Sequence, residues 1–227
     1  MADETLPEEM GAFFDQRAEG YDAHMRQNLA DAQTYYRELA RPIEQTLEPL
    51  KIVDIGCGTG LEIPAILEKA PNAHLTCIDL SAEMLRKLKD KFPQKTLSLV
   101  QASYLSYDFG CEQFDAALSS MTLHHLLPDD KLTLYQKIFC CLHPGCVYIE
   151  GDYMVTKEKM AQLMADYASQ AGAVDAGKYH IDIPLSIDDQ ISLLNRAGFQ
   201  DISLIYKEDE NVILAAHKLE GKPDGNL

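Results

Sequence analysis

The chain has 227 residues, 46% of them hydrophobic, and a formal net charge of −16. That length suits one globular domain with a sizeable core. No run of about 18 apolar residues occurs, which excludes a membrane-spanning helix, and the acidic excess argues against nucleic acid as the main partner. The first residues, MADETLPEEMG, have neither the basic start nor the apolar stretch of a signal peptide, so a cytoplasmic protein is expected. The basic run Arg86–Phe92 reads as a solvated helix face. Six cysteines, Cys57, Cys77, Cys111, Cys140, Cys141 and Cys146, form no C-x-x-C pair. They are expected to be reduced core residues rather than disulfides or a metal site.

In chain order, the first fifty residues read as helices. Phe13, Phe14, Tyr21 and Met25 recur at helix-like intervals, and a second pattern runs from an Asp31 N-cap towards Leu47. The period then changes. KIVDI (51–55) reads as a buried strand and LEIPAILEKA (61–70) as a helix with Pro64 in its first turn. AHLTCIDL is the next strand and SAEMLRKLKDKF the next helix, capped by Ser81. LSLVQA and FDAALSS are further strands. DDKLTLYQKIFCCL is a helix ending at HPGC, before the strand CVYIEG. SIDDQISLLNRAGF is a helix capped by Gly198, and DISLIYKED and NVILAAHKL form a hairpin. Between the fifth strand and that last helix lies an extra segment, Tyr153 to Pro184, with TKEKMAQLMADYASQAG helical. Strands alternating with helices imply a parallel sheet covered on both faces.

The chemistry concentrates in VDIGCGTGLEI, residues 53–63. Its glycines, Gly56, Gly58 and Gly60, follow G-x-G-x-G. A dinucleotide fingerprint would place its third glycine at Leu61. Asp54 precedes the turn, where a carboxylate repels a pyrophosphate but suits a cationic amino group. The turn's N–H groups still suit an anionic group. Asp79, about twenty residues on at the end of the second strand, suits ribose hydroxyls. A ribose joined to a zwitterion rather than to phosphates describes S-adenosylmethionine.

VDIGCGTG, CIDLSAEML, FDAALSSMTLHHL and LHPGC, in that order, resemble the motifs of class I S-adenosylmethionine-dependent methyltransferases. The resemblance covers about Lys51 to Asp152. It implies an α/β Rossmann-like fold: a seven-stranded, mostly parallel sheet with an antiparallel last strand and helices on both faces. The N-terminal helices and a helical insertion after the fifth strand would act as a lid. The single methyltransferase domain, 1–227, would comprise an N-terminal helical cap (1–50), a cofactor-binding core (51–152), a lid insertion (153–184), and a last helix with C-terminal hairpin (185–219). The resemblance also implies that Asp54, Gly56, Cys57, Gly58 and Gly60 hold the methionine end and Asp79 the ribose. Leu80, Met84, Ala102, Ser103 and Tyr104 would surround the adenine, with Ser103 standing where the family commonly has an acid. Tyr21 would close over the cofactor. Ser120 and Met121 follow the fourth strand at the carboxyl edge, where open sheets bind ligands.

Catalytic candidates are few. His124 is a candidate general base, and Glu150 and Asp152 end the fifth strand. The pair His124–His125 lacks further ligands at metal-binding spacing, so no metal site is expected. His180 reads as a surface residue. The expected reaction is methyl transfer to a small-molecule acceptor, with S-adenosylhomocysteine as product, by a monomer or homodimer that binds neither bulk nucleic acid nor membrane. Two other readings stand beside it. SSMTLHHL and LLNRAGFQDISLIYK also resemble the carboxy-S-adenosylmethionine synthases of wobble-uridine modification, which hold the cofactor's added carboxylate with an arginine. No arginine lies between Tyr153 and Asn195, and Arg196 falls inside the last helix. A non-catalytic S-adenosylmethionine binder would show a broken cofactor motif, and Ser103 is the one departure.

Overall fold

In the computed structural model, which describes residues 8–95, 97–170 and 178–220, the chain opens with three short helices, α1 (Met10–Arg17), α2 (Tyr21–Asn28) and α3 (Ala32–Ala40). Asp31 caps α3 as expected, accepting the Thr34 N–H at 3.0 Å. That helix stops at Ala40, short of Leu47, because Pro42 removes a backbone donor just beyond it. The alternating centre follows: β1 (Lys51–Ile55), α4 (Ile63–Lys69), β2 (His74–Asp79), α5 (Ala82–Lys91), β3 (Leu97–Gln101) and β4 (Phe114–Ser120). A 3-10 turn at Leu123–His125 leads to α6 (Pro128–Cys141) and β5 (Leu142–Tyr153). Then come α7 (Lys157–Gln170), α8 (Ile187–Ala197), β6 (Gln200–Glu208) and β7 (Asn211–His217). The last two residues of the expected insertion helix, Ala171 and Gly172, lie outside the described residues.

The strands pair in the order β3-β2-β1-β4-β5-β7-β6. β7 runs antiparallel to both neighbours, and the β1–β2, β1–β4, β2–β3 and β4–β5 pairs are parallel. This is the expected seven-stranded Rossmann-like sheet. Its middle strand shows why the sequence forms it: Ile52, Val53, Asp54 and Ile55 are all buried, so β1 is covered on both faces. One face packs Ile52, Cys77, Ile66 and Leu88 with Tyr35 and Leu39 of α3. The other packs Val53, Ile55 and Tyr148 with Tyr135 of α6 and Leu194 of α8. Side-chain caps on Ser81 and Ser186 start α5 and α8, each contributing about 1 kcal/mol. Gly198 ends α8 with φ of +112°.

Two expectations need correction. β5 begins at Leu142 rather than Cys146, because HPGC joins the strand edge through an irregular step in the β4–β5 register. Cys111 and Cys140 form a disulfide, with Cα atoms 4.9 Å apart. Backbone bonds from Glu112 N to Cys140 O and from Gln113 N to Cys141 O hold the loop before β4 against the end of α6 and so bring the two together. Cys57, Cys77 and Cys141 are free and buried, and Cys146 is free and half-buried. Among the described residues no helix is long and apolar enough to cross a membrane.

Candidate active site

The glycine turn sits at the carboxyl end of β1. Gly56, Gly58 and Gly60 have φ of +69°, +49° and +73°, which side-chain-bearing residues rarely adopt. Space forbids a side chain as well: a Cβ on Gly56 would meet Thr122 at 2.3 Å, and one on Gly60 would meet Ile63 at 2.7 Å. The turn is tied back to β2 by Gly56 and Cys57 N–H groups donating to Ile78 O. Asp79 completes the tie: Oδ2 accepts the Gly58 N–H at 2.8 Å and Oδ1 accepts the Ser81 N–H at 2.8 Å. Burial raises the pKa of Asp79 to about 6 against the lowering effect of these two bonds.

Asp54 and Glu62 lie inside the turn, both buried. No donor reaches either oxygen of Asp54 or Oε1 of Glu62. Burial, and then the neighbouring Glu62, push Asp54 well above the usual carboxylate range; burial brings Glu62 up to about 7. Buried acceptors without donors are costly and call for a partner. An ammonium group, with three donors and a positive charge, matches them; a phosphate does not. The residues therefore fit the amino-acid end of S-adenosylmethionine.

The N-terminal helices close over this turn. Asp22 of α2 accepts from Thr59 Oγ1 at 2.6 Å and pairs with Lys91 Nζ at 2.5 Å. Asp15 of α1 accepts from Ser81 Oγ at 2.5 Å and from Glu83 N–H at 3.2 Å, which docks α1 on the start of α5. The segment before α8 crosses the same edge: Met10 N donates to Lys178 O and His180 N donates to Glu8 O, both at 2.9 Å. Between these elements lies a cavity of about 620 Å³. Phe13, Phe14, Tyr21, Met25, Met121 and Tyr153 make its apolar walls, and His124, His125, His180 and Asp182 gather in its polar lining. Tyr21, Met25 and Met121 also line the small recess over the glycine turn, so the two spaces adjoin.

Residues 52–145 match a family model described as a methyltransferase domain. That segment is a methyltransferase domain of the S-adenosylmethionine-dependent class. A carboxy-S-adenosyl-L-methionine synthase from Nautilia profundicola is 24% identical over 183 residues, 74% of this chain and 77% of that one. Among solved structures, a Nostoc punctiforme protein assigned as an O-methyltransferase superposes with a TM-score of 0.71 at 19% identity, over 95% of this chain and 64% of that one. Human N-acetylserotonin methyltransferase in complex with S-adenosylmethionine gives 0.66 at 15% identity, over 91% of this chain and 58% of that one. These two likenesses are of fold, and the chain spans about six tenths of each structure's length.

The methyltransferase brings most of its sequence-predicted site residues together. Tyr21 faces the turn, its ring 3.5 Å from a Cβ built on Gly58. Ser120 and Met121 line the recess, and Met121 N donates to Gly151 O at 2.8 Å. Leu80 is half-buried beside Gly11 of α1, and Met84 is buried. Ala102 N donates to Asp79 O. Ser103 Oγ accepts from Leu105 N–H at 3.3 Å, so the residue at the family's acidic position bonds within its own turn. Tyr104 Oη donates to Thr122 O at 3.4 Å.

The catalytic candidates separate. His124 and Asp152 form a pair: Nδ1 lies 2.5 Å from Oδ1, and Asp152 also accepts the Leu123 and Tyr153 N–H groups. Burial opposes ionisation of Asp152, but the charge of His124 and its hydrogen bond lower the pKa below its ordinary value. Glu150 is not on the cavity. It is buried between β5 and the helices, bonded to Tyr135 and Gln190, and burial raises its pKa to about 7 despite nearby Lys131. His180 is not a surface residue: it is half-buried and stacks on Phe13 with ring centroids 3.6 Å apart. Asp15, Asp22 and Asp182 escaped the sequence reading. For the first two the available signal was a pair of acids seven residues apart on the predicted helical face.

Proposed function

We propose that this methyltransferase moves a methyl group from S-adenosylmethionine to a small-molecule acceptor bound in the cavity. The observation that carries the reading is the position of that cavity. It adjoins the glycine turn through Tyr21, Met25 and Met121, and its size falls in the range of about 300–1,000 Å³ typical of small-ligand pockets. Asp54 and Glu62 would hold the ammonium group, the Gly56–Gly60 turn the methionine backbone, and Asp79 the ribose hydroxyls. Leu80, Met84, Ala102, Ser103 and Tyr104 would flank the adenine. Tyr21, Ser120 and Met121 would face the sulfonium.

Bound S-adenosylmethionine supplies a methyl group already activated on positively charged sulfur. The chain's residues then align a nucleophile with the methyl–sulfur bond and keep water out, which supplies about 7–11 kcal/mol in favourable cases. The aromatic walls position the acceptor's apolar body. Asp152 fixes the His124 ring so that Nε2 is free for the acceptor end of the cavity. The charge of −16 offers no general attraction to a nucleic-acid acceptor. For the carboxy-S-adenosylmethionine synthase reading, Arg196 is exposed on α8, and Arg17, which does line the cavity, pairs with Glu8 at 2.9 Å.

Methyl-labelled S-adenosylmethionine incubated with the protein and a metabolite extract tests the proposal. Label should appear on low-mass organic products together with S-adenosylhomocysteine. Label confined to the RNA or protein fraction, or a heavier S-adenosylmethionine derivative with no transfer, would overturn it.

A further inference from the structure

Three imidazoles converge on one carboxylate oxygen at the polar end of the cavity. His124 Nε2, His125 Nδ1 and His180 Nε2 lie 3.6, 3.1 and 3.9 Å from Asp182 Oδ1. His125 Nδ1 also lies 3.1 Å from Ile181 O, a backbone hydrogen bond it would give up to an ion; the other two nitrogens face the Asp182 oxygen from beyond hydrogen-bonding distance. Around a tetrahedral ion with bonds of about 2.0–2.2 Å, neighbouring ligand atoms lie about 3.3–3.6 Å apart. The three separations bracket that value, and donor atoms of His124, His125 and Asp182 all lie within 4.8 Å of one another. The backbone holds the two contributing segments together, with Ile183 N donating to His124 O at 2.8 Å. Asp152 binds His124 Nδ1 and leaves Nε2 for the cluster, as carboxylates commonly do for metal-bound imidazoles.

We propose that His124, His125 and Asp182 bind a divalent transition-metal ion, with His180 as a fourth donor that the acceptor displaces. A mixed imidazole and carboxylate set suits zinc. This deepens the proposed function and rests on the cavity being the acceptor's. An ion here would take the acceptor's hydroxyl or thiol as a ligand and lower its pKa, so that the proton leaves to solvent. The ionised atom then bonds to the methyl carbon, the carbon–sulfur bond breaks, and its electron pair goes to sulfur, giving the neutral thioether. The acceptor class is therefore a small molecule with an ionisable hydroxyl or thiol.

The full chain, stripped with chelator, would be titrated with Zn²⁺ by calorimetry and with Co²⁺ by visible absorption. One Zn²⁺ per chain is expected, and a tetrahedral Co²⁺ spectrum without a thiolate charge-transfer band. Asp182 is 60% exposed, so Asp182→Asn leaves the fold intact. It should weaken Zn²⁺ by about 100-fold, and His180→Gln provides a second variant with reduced affinity. Asp152→Asn should weaken it about 10–100-fold. All three should bind S-adenosylhomocysteine as the parent does. Absence of stoichiometric metal, a thiolate band, or unchanged Zn²⁺ affinity in both Asp182→Asn and His180→Gln would overturn the metal site. If S-adenosylhomocysteine still binds in that case, the proposed function stands without it.

Discussion

Asp79 is a half-buried carboxylate whose two oxygens already accept the Gly58 and Ser81 N–H groups. In the proposed function it also holds the ribose, so replacing it would remove a cofactor contact and loosen the turn at once. Asp79→Ala should weaken S-adenosylhomocysteine by about 1.5–3 kcal/mol, the range for hydrogen bonds to a charged group. Calorimetry showing unchanged affinity would remove Asp79 from the cofactor site. The His124–Asp152 pair should behave differently, because it lies at the acceptor end. His124→Ala should slow turnover of a hydroxyl or thiol acceptor by about 10²–10⁴-fold while S-adenosylhomocysteine binds as before. An equal loss of binding and turnover would instead place His124 against the cofactor. Much of the candidate site's geometry was legible at this scale. The glycine spacing, Asp54 and Asp79 are encoded within about 25 residues of chain, and each type has a local physical reason. Asp182 was not legible, because its partners His124 and His125 stand more than 50 residues away and nothing periodic announces the contact.

At the scale of elements, the strands and capped helices followed from hydrophobic period and from Asp31, Ser81 and Gly198, since those signals are local. The pairing of α1 with the segment before α8 did not, because it depends on two irregular backbone bonds, Met10 to Lys178 and His180 to Glu8. The Cys111–Cys140 disulfide escaped for a similar reason: a loop and a helix end meet only once the sheet has formed. Asp22 holds these covering elements to Thr59 of the turn and Asp15 holds them to the start of α5; in the proposed function they part for product to leave. Amide exchange in α1, α2 and residues 178–183 should therefore slow when S-adenosylhomocysteine binds, while β1, β4 and β5 change little. No protection in any of the three segments would contradict a covering role. A separate test concerns how α3 meets the sheet. A Cβ on Gly151 of β5 would lie 2.3 Å from Tyr35 Oη and 2.8 Å from Leu39 Cδ1. Gly151→Ala should destabilise the fold by about 1–3 kcal/mol through overpacking, read from the denaturant midpoint; an unchanged midpoint would mean that α3 moves away freely.

Across the whole molecule, buried acids set the response to pH. Glu62 and Glu150 have pKa values raised to about 7 by burial, against about 4.3 for an exposed glutamate. The native state therefore keeps protons that the unfolded chain has already lost, and stability falls as pH rises through the native pKa values. Burial lowers His125 to about 4 and also lowers His180, which works in the opposite direction but only up to about pH 6.5, where unfolded histidine titrates. The melting temperature should thus fall between about pH 6.5 and 8; a rise over that interval would mean the two glutamates are not buried as described. The same ionisation should favour a cationic ligand in the turn. The proposed function requires the turn to take an ammonium-bearing nucleoside and not a dinucleotide. Calorimetric titration of the full chain with S-adenosylhomocysteine and, separately, with NAD tests this most directly. Saturable binding of S-adenosylhomocysteine at one site per chain is expected, and none of NAD. Tight NAD binding with no response to S-adenosylhomocysteine would contradict it.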